Sequence, residues 1–260
     1  MTAPSGRSRL DVALARRGLA RSRSHARELI DAGTVLVNES VASKASLPVE
    51  SDDRLALVRD DPYVSRAAYK LIGALDDLAV EVPARVLDAG ASTGGFSQVL
   101  LERGCRQLYA IDVGHDQLHP RVSADPRVIA YEGLNLRDLD PAITDGPVDL
   151  VVADVSFISL TLLLDRLIAV LGPDGSLLTM IKPQFEVGRE LLGKGGVVRS
   201  DASRRAGVAA VVDRAAELGW HPQTAARSRL PGPAGNIEYF VLFGTDRTEV
   251  DVLAALFAGC

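Results

Sequence analysis

The alternation of apolar and polar positions divides the chain into two differently patterned stretches. From Ser65 onward, short apolar runs alternate with amphipathic ones. "ARVLDAG", "QLYAID", "RVIAYEG", "VDLVVAD" and "SLLTMIK" read as strands, and helices are expected between them. Strands alternating with helices give a parallel sheet covered on both faces. A helix from Ser65 to about Ala79 precedes the first strand. "WHPQTAARS" and "NIEYFVLFG", joined by the turn-rich "RLPGPAG", predict an antiparallel hairpin closing one edge of the sheet. The first sixty residues have another rhythm. Leu10, Val12, Ala13 and Leu14 predict a helix ending near Gly18. Ser22 or Ser24 can cap a second helix that runs to Asp31 and stops at Gly33. Val35 and Val37 mark one strand, and Leu55, Leu57 and Val58 another. "RDDPY" (Arg59–Tyr63) reads as a linker. The expected architecture is an α/β body at 65–260, whose parallel sheet has an antiparallel last strand. A small α+β head at 1–59 precedes it, joined through 60–64.

Composition narrows the setting. The 260 residues are 47% hydrophobic and 24% charged, an ordinary globular balance. Two cysteines, Cys105 and Cys260, form neither a zinc spacing nor a disulfide framework, so a reducing cytoplasm is expected. The N-terminus has no apolar signal-peptide core. The longest uncharged apolar run, Val155 to Leu164, is half the length of a membrane span, so none is expected. Charge changes the picture more. Residues 1–59 carry nine arginines and a net charge of +3, whereas 60–260 carry −8. A basic head on an acidic body can bind a polyanion although the whole chain is negative.

In an open parallel sheet, ligands bind beyond the carboxyl ends of the strands. After the first strand stands "DAGASTGGF" (Asp88–Phe96), where Gly90, Gly94 and Gly95 let backbone approach a ligand at a helix start. The spacing is not the nicotinamide fingerprint G-x-G-x-x-G. After the second strand stands Asp112, a position that commonly takes ribose hydroxyls. Together these imply a nucleoside-bearing cofactor without saying which. Asp154 follows the fourth strand, either as a cap of the next helix or as chemistry. Lys182 follows the fifth. An antiparallel last strand begins where its neighbours end, which brings Glu238 to the same rim, and the first turns of the leading helix bring Lys70. Two basic and two acidic groups thus converge. A balanced cluster can leave one lysine poised to orient, or take a proton from, a substrate hydroxyl. No Ser-His or Cys-His arrangement offers another nucleophile. Pro183 lacks a backbone donor and is expected to end strand pairing, leaving the Lys182 side chain at the rim.

These residues resemble a known family. "DAGASTGGF" looks like the first motif of class I S-adenosylmethionine-dependent methyltransferases. Lys70, Asp154, Lys182 and Glu238 look like the Lys-Asp-Lys-Glu tetrad of FtsJ-type ribose 2′-O-methyltransferases, in "SRAAYKL", "DVSFISL", "IKPQFEVG" and "GNIEYF". The head resembles the S4 RNA-binding domain, and the domain order, with "GKGGVV" after the lysine strand, is similar to the TlyA family, often labelled haemolysin. The resemblance implies a Rossmann-like methyltransferase sheet behind an S4-like domain. It implies methyl transfer from S-adenosyl-L-methionine to the 2′-hydroxyl of cytidine in ribosomal RNA, free or within a ribosomal subunit. Lys182 would act on the hydroxyl, with Lys70, Asp154 and Glu238 holding it in line. Asp88, Gly90, Ala91, Ser92, Thr93, Gly94, Gly95, Phe96, Asp112 and Asn135 would bind the cofactor. Arg7, Arg9, Arg16, Arg21, Arg23, Arg27 and Arg66 would meet RNA. Two departures stand out: Asn38-Glu39 where the S4 pattern has Asn-Gly, and two alanines in "SRAAYKL" where glycines are common. The alternatives are a membrane-active haemolysin and a small-molecule O-methyltransferase. The first lacks a span or a strongly cationic amphipathic stretch, and the second has no use for a basic head. Base methylation is disfavoured because no cysteine stands at a strand end and the Asp154 motif is not of the Asn-Pro-Pro-Tyr type.

Overall fold

The computed structural model describes residues 7–57, 62–188, 191–193, 195–232, 234–248 and 250–258. Val58, Arg59, the linker residues 60 and 61, Lys194 of "GKGGVV" and Cys260 lie outside the described residues. The chain forms two compact units, Met1–Tyr63 and Val64–Cys260.

In the first unit, β1 (Ser8–Arg9) leads into α1 (Leu10–Arg16), followed by α2 (Arg23–Asp31). Of the two candidate caps, Ser22 is the one used; its hydroxyl accepts from the His25 backbone N–H at 3.1 Å. Strands β2 (Val35–Val37), β3 (Ser40–Val41), β4 (Pro48–Val49) and β5 (Leu55–Leu57) follow. β2 pairs antiparallel with β3 and β5, and β1 with β4. Leu10, Leu14, Ala26, Ile30, Val35 and Val49 form the core. The β2–β3 turn holds Asn38 and Glu39 at φ +49° and +69°, the mirror-image turn that favours Asn-Gly. Its conformation survives without the glycine because the Asn38 side chain accepts from Arg54 N at 2.9 Å and donates to Asp53 at 2.7 Å.

The second unit opens with α3 (Ala67–Asp77) and then β6 (Arg85–Ala89), α4 (Gly95–Glu102), β7 (Gln107–Asp112), α5 (Pro120–Ser123), β8 (Val128–Glu132) and β9 (Val148–Ala153). α6 (Leu164–Ala169), β10 (Leu171–Ile181), α7 (Pro183–Glu186), α8 (Asp201–Glu217), β11 (His221–Arg227), β12 (Tyr239–Gly244) and α9 (Val252–Phe257) complete it. The sheet order is β11-β12-β10-β9-β6-β7-β8. β12 runs antiparallel to both its neighbours, and the strands from β10 to β8 run parallel. This is the expected class I arrangement, with the β11–β12 hairpin closing one edge. One connection departs from strict alternation. Two 3-10 turns, Leu136–Asp138 and Pro141–Thr144, replace the helix expected between β8 and β9. Asn135 and Asp140 cap them, accepting from Arg137 N at 3.0 Å and Ala142 N at 2.8 Å. Capping side chains at such short spacing, with Pro141 opening the second turn, favour turns over a propagating helix. Leu87, Ile111, Val151, Leu177, Val241 and Phe243 fill the core around the sheet.

Candidate active site

Register brings charge to the carboxyl rim. Ile181 of β10 lies opposite Tyr239 of β12, so Lys182 and Glu238, one step beyond each, sit side by side in sequence register. Asp154 follows β9 directly, and its backbone N–H donates to Ala89 O at 3.0 Å, beside the end of β6. Lys70 enters from the first turns of α3. That helix approaches closely because Gly95 opens α4 there: a Cβ on Gly95 would lie 2.1 Å from Ser65 Oγ and 3.2 Å from Ala67 Cβ.

The quartet resolves into two ion pairs. Lys70 Nζ donates to Glu238 Oε2 at 2.5 Å, with the side chains 8% and 1% exposed. Lys182 Nζ stands 2.6 Å from Asp154 Oδ1, with the side chains 10% and 17% exposed. That second contact is poorly angled for a hydrogen bond; the aligned bond of Lys182 goes to Ser156 Oγ at 2.7 Å. β10 ends at Ile181, and Lys182 stands immediately before α7. Pro183 therefore does more than end pairing. It occupies the first position of a helical turn, where a missing N–H costs nothing. The turn carries Glu186 back to the Asp154 loop, where it accepts from Ser159 Oγ at 2.5 Å and Leu160 N at 3.0 Å. Burial raises the Glu186 carboxyl pKa. Asp154 caps no helix; Ser159 caps the next turn instead.

Glycine also seats Glu238: a Cβ on Gly232 would lie 2.5 Å from Glu238 Oε1. The segment before it is strapped to α3, since Arg229 crosses Gly73 and pairs with Asp77 at 2.6 Å. Arg66 donates to Pro231 O at 2.9 Å in the same strap. Asn236 of "GNIEYF" accepts from Val198 N and donates to Gly196 O, tying in the loop after Lys182.

On the other side of Asp154 lies the glycine loop. Gly90 has φ +88°, and a Cβ there would lie 2.6 Å from Asp154 O, so only glycine lets the two loops meet. Asp112 Oδ2 accepts from Ser92 N at 2.8 Å, and its Oδ1 accepts from Gly114 N at 2.7 Å. Thr93 anchors the next loop through His119 N, at 3.2 Å from its carbonyl, and Ala91 N bonds Ile111 O. Glu132 holds the 116–118 segment by accepting three backbone N–H bonds, which lower its pKa. Val113, 66% exposed, stands beside Asp112. Two expected cofactor contacts turn inward instead. Phe96 is buried and stacks on Phe240 with ring centroids 6.2 Å apart, because its apolar ring packs into the core below α4. Asp88 is wholly buried under the loop; Oδ2 accepts from Ser97 Oγ at 2.6 Å, and Oδ1 has no hydrogen-bond partner. Burial pushes its pKa up to about 7 against the opposing Ser97 bond. Gly94 at φ +90° starts α4, and Asn135 is exposed at its 3-10 turn.

Sequence reasoning missed Ser156, Gly232, Glu132 and Phe157. Phe157 is 92% exposed, has φ +65° and lies 5.3 Å from the Phe185 ring. In the head, Arg9, Arg23 and Arg27 converge on one buried carboxylate, Asp11, at 2.9, 3.3 and 3.2 Å. These arginines hold the Asp11 pKa well below the usual carboxylate range, Arg9 most of all. Arg7 pairs with Glu50, while Arg16 and Arg21 are exposed.

A sheet in this order, with one antiparallel strand and a glycine loop beside paired lysines, defines a class I methyltransferase. Residues 63–245 match the FtsJ-like methyltransferase family and residues 8–55 the S4 domain. The 16S/23S rRNA (cytidine-2′-O)-methyltransferase TlyA of Mycobacterium tuberculosis is 48% identical over 94% of this chain and 91% of its own length. Hemolysin A of Brachyspira hyodysenteriae is 35% identical over 90% of this chain and 99% of its own. A solved structure from Streptococcus thermophilus, described as a candidate haemolysin, superposes with TM-score 0.75 at 34% identity, covering 97% and 94% of the two chains. The chain belongs to the TlyA family of FtsJ-like methyltransferases with an S4 domain. S-adenosyl-L-methionine is its cofactor, and the rim suits that molecule: a backbone-lined cradle at Gly90, a carboxylate at Asp112 and an exposed apolar side chain at Val113. No described helix is long and apolar enough to cross a membrane.

Proposed function

We propose that this protein methylates the ribose 2′-hydroxyl of a cytidine in ribosomal RNA, in 16S or 23S RNA or both. The observation that carries the reading is the pairing of two nearly buried lysines with two carboxylates at the rim, against the glycine loop. S-adenosylmethionine, when bound, supplies an electrophilic methyl group. Asp112, Ser92, Val113 and the 90–95 loop would hold it. Asp88 supports the loop from beneath rather than by direct contact. Lys182 orients the 2′-hydroxyl and, as the free amine after releasing its own proton to solvent, would take the hydroxyl proton when the oxygen is methylated. Asp154 keeps Lys182 in place by charge. The Lys70–Glu238 pair fixes α3 and the start of β12 around the ribose. Phe157 offers an open aromatic face on which an unstacked nucleobase can lie, the way single-stranded RNA bases are commonly held. The head, residues 1–59, meets RNA phosphates through Arg9, Arg23 and Arg27, with Arg7, Arg16 and Arg21 adding charge. Residues 60–64 join it to the catalytic body at 65–260. A ribosomal substrate places the activity in the cytoplasm.

The test is to incubate isotopically labelled cofactor with whole ribosomes, separated subunits and naked ribosomal RNA, then to map the label. Label on a cytidine 2′-oxygen is expected. Label on a base, or on a small molecule alone, would overturn the reading.

A further inference from the structure

Lys182 has two neighbours of different kinds. Asp154 Oδ1 lies 2.6 Å from the ammonium but makes no aligned hydrogen bond. The attraction between them is Coulombic, so it fixes how near the nitrogen stands without fixing how it is rotated. Ser156 Oγ, at 2.7 Å, accepts the aligned bond. Hydrogen bonds are directional, so this one sets the rotation of the nitrogen about its Cε bond.

Chemistry gives the second distinction. A lysine that takes a proton from a hydroxyl must do so as the amine, with two N–H bonds and one lone pair. A hydroxyl oxygen accepts an N–H from ammonium or amine alike. The bond to Ser156 can therefore persist when Lys182 gives up a proton, and it engages one of the N–H bonds that remain. The local backbone is consistent with a placed hydroxyl. The next residue, Phe157, is held at φ +65°, a conformation that is strained for an aromatic residue and that clusters at functional sites. Glu186 pins the far end of the same loop through Ser159 and Leu160. Ser156 itself is exposed, so it buries no surface that would explain it as a packing residue.

We propose that Ser156 is a positioning residue: its hydroxyl aims the Lys182 nitrogen at the ribose 2′-hydroxyl. This rests on the reading of Lys182 given above. The test compares Ser156→Ala, Ser156→Thr and Lys182→Ala in the intact protein with ribosomal RNA as substrate. Losing a hydrogen bond to a group that acts only in the transition state lowers kcat and leaves binding alone. Ser156→Ala is expected to lose about tenfold or more in kcat. Its KM for RNA, its cofactor affinity and its melting temperature should stay close to those of the parent. Ser156→Thr, which keeps the hydroxyl, should recover most of the loss. Undiminished kcat in Ser156→Ala overturns the proposal, as does a loss that appears in KM or in melting temperature, or one that threonine fails to restore. Lys182→Ala separates the two levels. If it stays active, the reading of Lys182 falls; if it is inactive while Ser156→Ala is fully active, only the role of Ser156 falls.

Discussion

Replacing Glu238 by glutamine removes the counter-charge of Lys70 and changes almost nothing else in shape. The Lys70 side chain is 8% exposed and that of Glu238 1%, so water has little access to take over from the carboxylate. Breaking a buried pair on one side costs about 3–5 kcal/mol, because the remaining charge stays desolvated. The unit that contains the pair spans Val64–Cys260, and for a domain of that size each kcal/mol moves the melting temperature by roughly 2–4 °C. Glu238→Gln should therefore melt roughly 6–20 °C below the parent, measured by calorimetry without cofactor. The companion is Lys70→Met with Glu238→Met, which replaces both charges by unbranched apolar chains. Such replacements are often neutral or better, so the double variant should regain most of the lost stability. Methyl transfer should remain low in both. A single variant that melts within a degree or so of the parent would refute the argument, since the pair would then not be a desolvated one. A double variant as unstable as the single one would show that the loss came from packing rather than charge.

The remaining expectations concern other elements. Asp88 has its pKa raised to about 7 by burial, so the folded state holds a proton that the unfolded chain has lost above pH 4, and stability drains away as pH rises through that window. Asp88→Asn cannot titrate, so its stability relative to the parent should grow between pH 4 and 7, by up to about 4 kcal/mol, in denaturant unfolding at a series of pH values. Glu39→Gly relieves a left-handed non-glycine residue at φ +69° and should stabilise the head by about 1 kcal/mol in thermal unfolding. Phe157→Ala should raise KM for RNA and leave cofactor affinity unchanged, as measured by initial rates and calorimetric binding.

The four rim charges were legible because each stands at a strand or helix end, and the order of elements carries those ends to one side. Lys182 and Glu238 needed only the direction of one strand. Ser156 and Phe157 sit two and three residues past Asp154 in "DVSFISL", where a serine reads as a turn and a phenylalanine as core. What sets them apart is a positive φ at a non-glycine residue and an outward-facing ring, neither of which apolar periodicity encodes. Phe96 errs the other way: it belongs to the glycine motif in sequence but turns to Phe240 in space. Asp11 is a first-turn acid of α1, and only the packing of α2 reveals that it gathers Arg23 and Arg27. The 3-10 turns between β8 and β9 hinge on side-chain capping competing with helix propagation, a balance too local for periodicity to resolve.

The near contact between Gly90 and the Asp154 carbonyl bears on how this enzyme can evolve. On the proposed reading the Gly90 loop receives the methyl donor and the Asp154 loop stands by the acceptor, and a Cβ on Gly90 would lie 2.6 Å from the Asp154 carbonyl oxygen. Under the proposed roles, an exchange at Phe157 would change the contact with the nucleobase and leave this main-chain spacing alone. A change at residue 90 would alter that spacing for every substrate at once. In the proposed function, specificity can thus change by single substitutions at the periphery, while the spacing of the transfer depends on residue 90 staying glycine.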